Sequence, residues 1–175
     1  TQTSARAVID WQQLSVTAGT TLAFVQPDAN SITLNRVLAG GPATVIDGTV
    51  TGNGKIWILN PSGLFIGQGG SITTSGFLAS TGSINVTDFM DGASRISITD
   101  ATDAAISNLG QITINSGHAV LAGTRVDNGG FVSANLGVVA MGSGTAFTLD
   151  FTGDQLIAFA IAQGLPSGSA SGGLY

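Results

Sequence analysis

Apolar and polar residues alternate along many short stretches of this chain. Ser31-Ile32-Thr33-Leu34-Asn35 and Gln111-Ile112-Thr113-Ile114-Asn115 are two of them. A period of two marks a strand that buries one face. Asn-Gly and Gly-Gly pairs, as in Asp127-Asn128-Gly129-Gly130, separate such stretches and are expected to supply the φ > 0 positions of sharp turns. The stretches recur at a fixed spacing. Gly48-Thr49-Val50-Thr51, Gly70-Ser71-Ile72-Thr73, Gly110-Gln111-Ile112-Thr113 and Gly130-Phe131-Val132-Ser133 align, with glycines 22, 40 and 20 residues apart. That is one period of about 20 with one period skipped. Each copy is followed by a second glycine and a second apolar run, beginning at Gly54, Gly76, Gly117 and Gly137. A doubled motif of this kind predicts stacked turns of a parallel β-helix, each with two or three short strands. About eight turns at roughly 4.8 Å each would give a rod about 40 Å long. A β-sandwich also uses short strands but needs no fixed period, and ranks second.

The skipped period sets the domain layout. Residues 1–163 read as one β-helical domain. Val86–Thr102, rich in Asp and without a glycine pair, reads as an insertion lying outside the coil. It is expected to be a β-hairpin turning at Asp91-Gly92, with Ser94-Arg95-Ile96-Ser97-Ile98 as its return strand. Asp154–Ala162 reads as a last strand or a short helix. Residues 164–175 have the Gly/Ser composition of a flexible linker.

Composition narrows the function classes. Of 175 residues, 26 are Gly, 20 Thr and 17 Ser; Glu is absent, all ten acids are Asp, and Lys55 is the single lysine. This favours strands and turns over helices. The formal charge is −5 without a basic cluster, so nucleic-acid binding is not expected. The longest late apolar run, Leu156–Ala162, is too short to span a bilayer as a helix. The absence of Cys removes disulfides, thiolate metal sites and Cys nucleophiles. Thr1-Gln2-Thr3 falls in strand-like sequence, so the chain reads as a mature or trimmed form.

Candidate chemistry is thin. His118 is the single histidine and is read as a satisfied structural residue. No nucleophile elbow, phosphate loop, dinucleotide fingerprint or calcium-binding Gly-Asp repeat is present. Asp100, Asp103 and Asp127 are the acids that a β-helical polysaccharide enzyme would have to bring together. Asn85-Val86-Thr87 matches the glycosylation triplet formally. Trp11 and Trp57 are expected to fill the core. Neither a cofactor nor a metal is expected.

One turn stands out. At Asn60-Pro61-Ser62-Gly63-Leu64 two apolar runs, Lys55–Leu59 and Leu64–Gly67, meet at a tight corner. Pro61 presets φ, Gly63 permits φ > 0, and the Asn60 side chain can hold the turn. With this turn, several blocks in order resemble the N-terminal haemagglutination-activity domain of filamentous haemagglutinin-type proteins, the two-partner secretion (TpsA) domain. They are Arg6–Gln12, Phe24–Ala29, Leu34-Asn35-Arg36-Val37, Gly54–Gly67, Ala119–Gly123 and Ala146–Phe151. The family often has Asn-Pro-Asn-Gly-Ile at the turn; here Ser62 and Leu64 take the third and fifth places. The family's capping stretch before the first block has no counterpart ahead of Arg6. A first rung without it would leave a free strand edge that templates assembly.

The resemblance implies a right-handed parallel β-helix secreted from a Gram-negative bacterium to the outside or the cell surface. It implies a partner: an outer-membrane TpsB-type β-barrel transporter with POTRA domains, which recognises the domain in extended form. Asn60, Pro61, Ser62, Gly63 and Leu64, with Asn35 and Arg36, then form a motif for secretion or folding rather than for catalysis. The leading expectation is the secretion-targeting domain of a large exoprotein or adhesin, with a host-cell or biofilm surface as a further partner. The alternative is a self-assembling filament subunit stacked end to end; a β-helical polysaccharide enzyme comes third.

Overall fold

A computed structural model describes residues 1–152 and 155–164. The chain winds through successive rungs. The first holds β1 (Arg6–Trp11), β2 (Ser15–Val16) and β3 (Thr21–Phe24). The second holds β4 (Ile32–Val37), β5 (Thr44–Ile46) and β6 (Thr49–Gly52), and the third β7 (Lys55–Leu59), β8 (Leu64–Ile66) and β9 (Ser71–Thr74). The fourth begins with β10 (Gly76–Ser80) and leaves the coil through β11 (Ser83–Ile84), α1 (Val86–Asp91) and β12 (Arg95–Thr99). It then returns as β13 (Ala105–Asn108) and β14 (Gln111–Ile114). The fifth is β15 (His118–Gly123), β16 (Arg125–Asn128) and β17 (Phe131–Ala134), and β18 (Val138–Ser143) begins a sixth. Two further strands, β19 (Ala146–Thr152) and β20 (Gln155–Gln163), fold back outside the coil.

Three parallel sheets result: β1-β4-β7-β10-β15-β18, β2-β5-β8-β13-β16 and β3-β6-β9-β14-β17. The glycine-repeat alignment is the register itself, since Thr49 pairs with Ser71, Ser71 with Gln111 and Gln111 with Phe131. The coil is shorter than the expected eight turns. Six strands in the tallest sheet span about 24 Å at roughly 4.8 Å per step, because residues 81–104 spend a whole period inside one rung and the last two strands leave the coil.

The repeat glycines have a different cause from the one expected. Positive φ occurs at Gly19, Gly40, Gly63 and Gly92, not at Gly129 or Gly130. Gly48, Gly70, Gly110 and Gly130 instead lie where successive rungs approach backbone to backbone. A Cβ on any of them would land on a carbonyl oxygen of the rung beside it. The spacing of these glycines is therefore a record of close stacking.

Inside the coil, like side chains stack on like. Leu22, Val50, Ile72, Ile112 and Val132 form one column, all in or against the interior cluster. The first sheet is apolar on its outer face too. Val8, Leu34, Trp57, Leu78, Val120 and Ala140 form a column there and belong to, or pack on, a second cluster. A strand buried on both faces reads as a continuous apolar run, which is the pattern of Ile56–Leu59 and Ala119–Gly123 within β7 and β15.

The cover over that outer face is an antiparallel sheet, β11-β12-β19-β20. The return strand falls close to where it was expected, but its antiparallel partner β11 lies before Val86, and the stretch expected to be the hairpin's first arm is helix α1. Asp91-Gly92 is the end of a helix, not a two-residue turn. Asn85 caps α1, its side chain accepting from the Thr87 and Asp88 backbone N–H groups, and Gly92 closes it at φ +77°. This is what Asn85-Val86-Thr87 does structurally. The excursion is no loose appendage: Phe89, Ile96 and Ile98 are fully or almost fully buried against the first sheet. Residues 155–163 form a strand, settling the strand-or-helix alternative. The expected linker at 164–175 lies, beyond Gly164, outside the described residues.

Candidate functional site

The corner at residues 60–63 joins β7 to β8. The Gly63 N–H donates to the Asn60 carbonyl at 3.0 Å, closing a β-turn with Pro61 and Ser62 at its centre. Asn60 is 1% exposed, so every polar atom it carries needs a partner. Its Nδ2 donates to the Pro42 carbonyl and to Thr44 Oγ1, both at 3.0 Å. Its Oδ1 accepts from the Ser62 N–H at 2.8 Å. Its backbone N–H donates to the Ser80 carbonyl at 3.0 Å.

The rest of the turn reaches both neighbouring rungs. Ser62 Oγ donates to the Gly41 carbonyl at 2.7 Å, and the Gly63 carbonyl accepts from the Thr44 N–H. On the other side Thr102 Oγ1 donates to the Pro61 carbonyl at 2.6 Å. Gly63 has φ +100°, and a Cβ there would stand 2.6 Å from the Ala105 carbonyl oxygen. Leu64 drops into the interior cluster. The five-residue turn thus ties the second, third and fourth rungs together, and it does so at the point where the outer excursion re-enters the coil.

The two other motif residues sit on β4. Arg36 pairs with Asp10 across the β1–β4 ladder, Nε to Oδ1 at 2.7 Å and Nη2 to Oδ2 at 2.8 Å. The Arg36 hydrogen bond holds the Asp10 carboxyl below its usual range. Arg36 lines a shallow groove with Leu59 and Pro61, so it does come beside the corner. Asn35 does not. It is fully buried, accepting from Trp11 Nε1 at 3.0 Å and donating to the Trp57 carbonyl at 3.2 Å.

The acids considered for catalysis stay apart from any metal-like grouping; no set of three or more potential ligands occurs among the described residues. Asp100, Asp103 and Asp127 are exposed and make no ion pair among the described residues. Asp100 takes a left-handed backbone, φ +56°, and accepts from Thr99 Oγ1.

The two tryptophans divide. Trp11 packs on the coil interior, whereas Trp57 lies in the outer cluster, 5.5 Å from the Phe89 ring and 5.7 Å from Phe151. His118 is buried as a structural histidine would be, but it is not satisfied: neither ring nitrogen has a partner, and neither does Trp57 Nε1. Burial, reinforced by the charge of Lys55, lowers the His118 pKa from 6.5 to about 4. Sequence reasoning missed this unpaired group, although the continuous apolar runs of β7 and β15 carry the signal that their outer faces are covered.

A coil of parallel rungs, its corners locked by buried amides, matches the TPS secretion domain family over residues 1–171. The chain belongs to that family and is a secretion domain of a two-partner secretion exoprotein. Domains of this family are recognised by an outer-membrane TpsB transporter, their exoproteins are secreted by Gram-negative bacteria, and the family points away from enzymatic activity.

Among solved structures, the crystal structure of the HMW1 secretion domain from Haemophilus influenzae superposes with a TM-score of 0.80 at 28% identity. The match covers 93% of this chain and 44% of that one. Two heme/hemopexin-binding proteins of Haemophilus influenzae are 43% identical over 72 residues and 39% identical over 79 residues. Those matches take in 41% and 45% of this chain. The aligned stretch is 8% of each relative's length.

Proposed function

We propose that this domain presents its exoprotein, in extended form, to the POTRA domains of a TpsB-type transporter. Winding of the coil outside the cell then helps to draw the rest of the chain out to the medium or the cell surface. The observation that carries the reading is the corner at Asn60–Leu64, whose bonds gather residues from Gly41 to Thr102 into one unit. In this reading Asn60, Pro61, Ser62, Gly63 and Leu64 are needed for the coil to form, and Asn35 and Arg36 support the rung beside them.

The test is co-expression with the cognate transporter. An Asn60→Ala, Pro61→Ala double variant is expected to be exported poorly, measured as the ratio of medium to cell-associated protein. Wild-type export of that variant would remove the corner from the mechanism.

A second reading is favoured by one observation. The last rungs carry exposed apolar side chains, with Leu136 97% and Phe131 58% exposed. End-to-end association of coils would cover them. A monodisperse monomer in light scattering at high concentration would end that reading. Attachment to a host-cell or biofilm surface, or to heme or hemopexin as the relatives' names indicate for them, would belong to the whole exoprotein.

A further inference from the structure

A cleft of about 220 Å³ lies between the outer face of the first sheet and its antiparallel cover. Its lining combines Ile32, Lys55, Trp57 and His118 from the sheet with residues 92–94 and Ile96 from the excursion, Phe151 from β19, and Arg6. The space exists partly because of Gly76. It pairs with Lys55 and stands one place before the Phe77–Ala119 pair, so it lies between Lys55 and His118 in the ladder. A Cβ there would press on Lys55 Cγ at 3.0 Å.

Three polar atoms in this lining lack partners: Trp57 Nε1 and both nitrogens of His118. Both residues are about 1% exposed. Buried donors left open are costly, and each calls for a specific explanation. The other tryptophan shows the ordinary arrangement, since Trp11 Nε1 donates to Asn35 Oδ1. Among the described residues of the lining, the charged side chains are Lys55 and Arg6. No Asp lines the cleft among the described residues. Arg6 makes no ion pair among the described residues and spends Nη1 on the Phe89 carbonyl, its guanidinium over the Phe89 ring. Of the remaining walls, Ile32, Ile96 and Phe151 are apolar and Ser94 is polar.

An indole N–H can only donate, and a neutral imidazole donates from one nitrogen. We propose that this cleft binds a small organic carboxylate. One or both carboxylate oxygens accept from the Trp57 and His118 N–H groups near Arg6, and a flat apolar body lies against Phe151, Ile32 and Ile96. Inorganic phosphate suits it less well, because its all-round oxygens would face those apolar walls. The volume, room for about seven waters at roughly 30 Å³ each, limits the ligand to one small ring or a short chain.

The test uses the folded 175-residue chain labelled with 15N. Its two tryptophans give two indole N–H signals, of which Trp11 is the internal control. Sodium benzoate is titrated against inorganic phosphate and the neutral benzyl alcohol. The expected result is a saturable shift of the Trp57 indole and His118 imidazole signals by benzoate at millimolar concentration or below, with the Trp11 signal unmoved. Trp57→Phe keeps the ring between Phe89 and Phe151 and removes only the donor. Read at His118, it should weaken benzoate about tenfold. Arg6→Gln should weaken it as well, and stands as the test if Trp57→Phe does not fold. The proposal is overturned if no shift occurs or if shifts appear only near molar concentration, an adventitious additive only. It is also overturned if benzyl alcohol binds as well as benzoate, or if phosphate binds more tightly.

Discussion

Protonation of His118 should unlatch the outer cover. The imidazole is buried against the rings of Trp57 and Phe151, at centroid distances of 6.4 and 5.3 Å. Burial first and the nearby Lys55 charge second bring its pKa from 6.5 down to about 4; Arg6 is the other cation of the same cleft. Above pH 7 the ring is neutral in folded and unfolded chains alike. Between pH 6.5 and 4 the unfolded chain binds the proton and the folded one does not, so stability falls as pH falls. At about 1.4 kcal/mol per pH unit, the loss reaches about 3 kcal/mol by pH 4. Asp10 and Asp28, held low by Arg36 and by Ser31 respectively, begin to lose their effect only below about 3.8, beneath this window. The assay is urea unfolding at pH 7.5, 6, 5 and 4.2 on the wild type and on His118→Phe. The variant keeps a flat ring and removes both open nitrogens. It should be more stable at pH 7.5 by about 1 kcal/mol and nearly flat across the window. Parallel pH profiles for the two proteins would refute the reasoning.

Two further substitutions separate the corner's geometry from its surface charge. Gly63→Ala meets both the left-handed backbone and the Ala105 carbonyl at 2.6 Å, and should cost about 2–3 kcal/mol in a denaturant titration. A cost within 0.5 kcal/mol would mean that the rungs shift apart easily. Arg36→Ala breaks a bidentate but half-exposed pair with Asp10, and should lower stability by less than about 1 kcal/mol, less still at high salt. A larger loss in thermal melts would give Arg36 a structural role that its ion pair does not explain.

The coil was legible in the sequence because its steric rule is written in a residue that cannot be substituted cheaply. Glycine recurs wherever two rungs touch backbone to backbone, so the 20-residue spacing reported the ladder register directly. The rung count was not legible in the same way. Forty residues between Gly70 and Gly110 look like two turns, yet they are one turn with an excursion that departs at Thr81 and returns at Thr102, where the two residues meet. The helix in that excursion has six residues, too few to show a 3.6-residue period. Its only local mark is Asn85 followed three residues later by Asp88 at the capped end.

The corner at Asn60 was readable for the opposite reason: a turn must satisfy its own backbone locally, so its residue types disclose its geometry. The His118 cleft was not readable. The cover that buries it comes from residues 92–96 and 151, far along the chain from 55 and 118. Only the uninterrupted apolar runs of Ile56–Leu59 and Ala119–Gly123 hint that something lies on their outer side.

The pairing of β12 with β19 also fixes an order of events. Each parallel rung can be laid down on the one before it as soon as 20 to 30 more residues are available. The strand Arg95–Thr99, in contrast, must wait more than 40 residues for Ala146–Thr152 before its free edge is filled. A chain emerging from its N-terminal end would therefore grow as an open spool, with the oily outer strip of Trp57, Leu78 and Val120 uncovered. It would become a closed object only when the last hairpin swings across and latches.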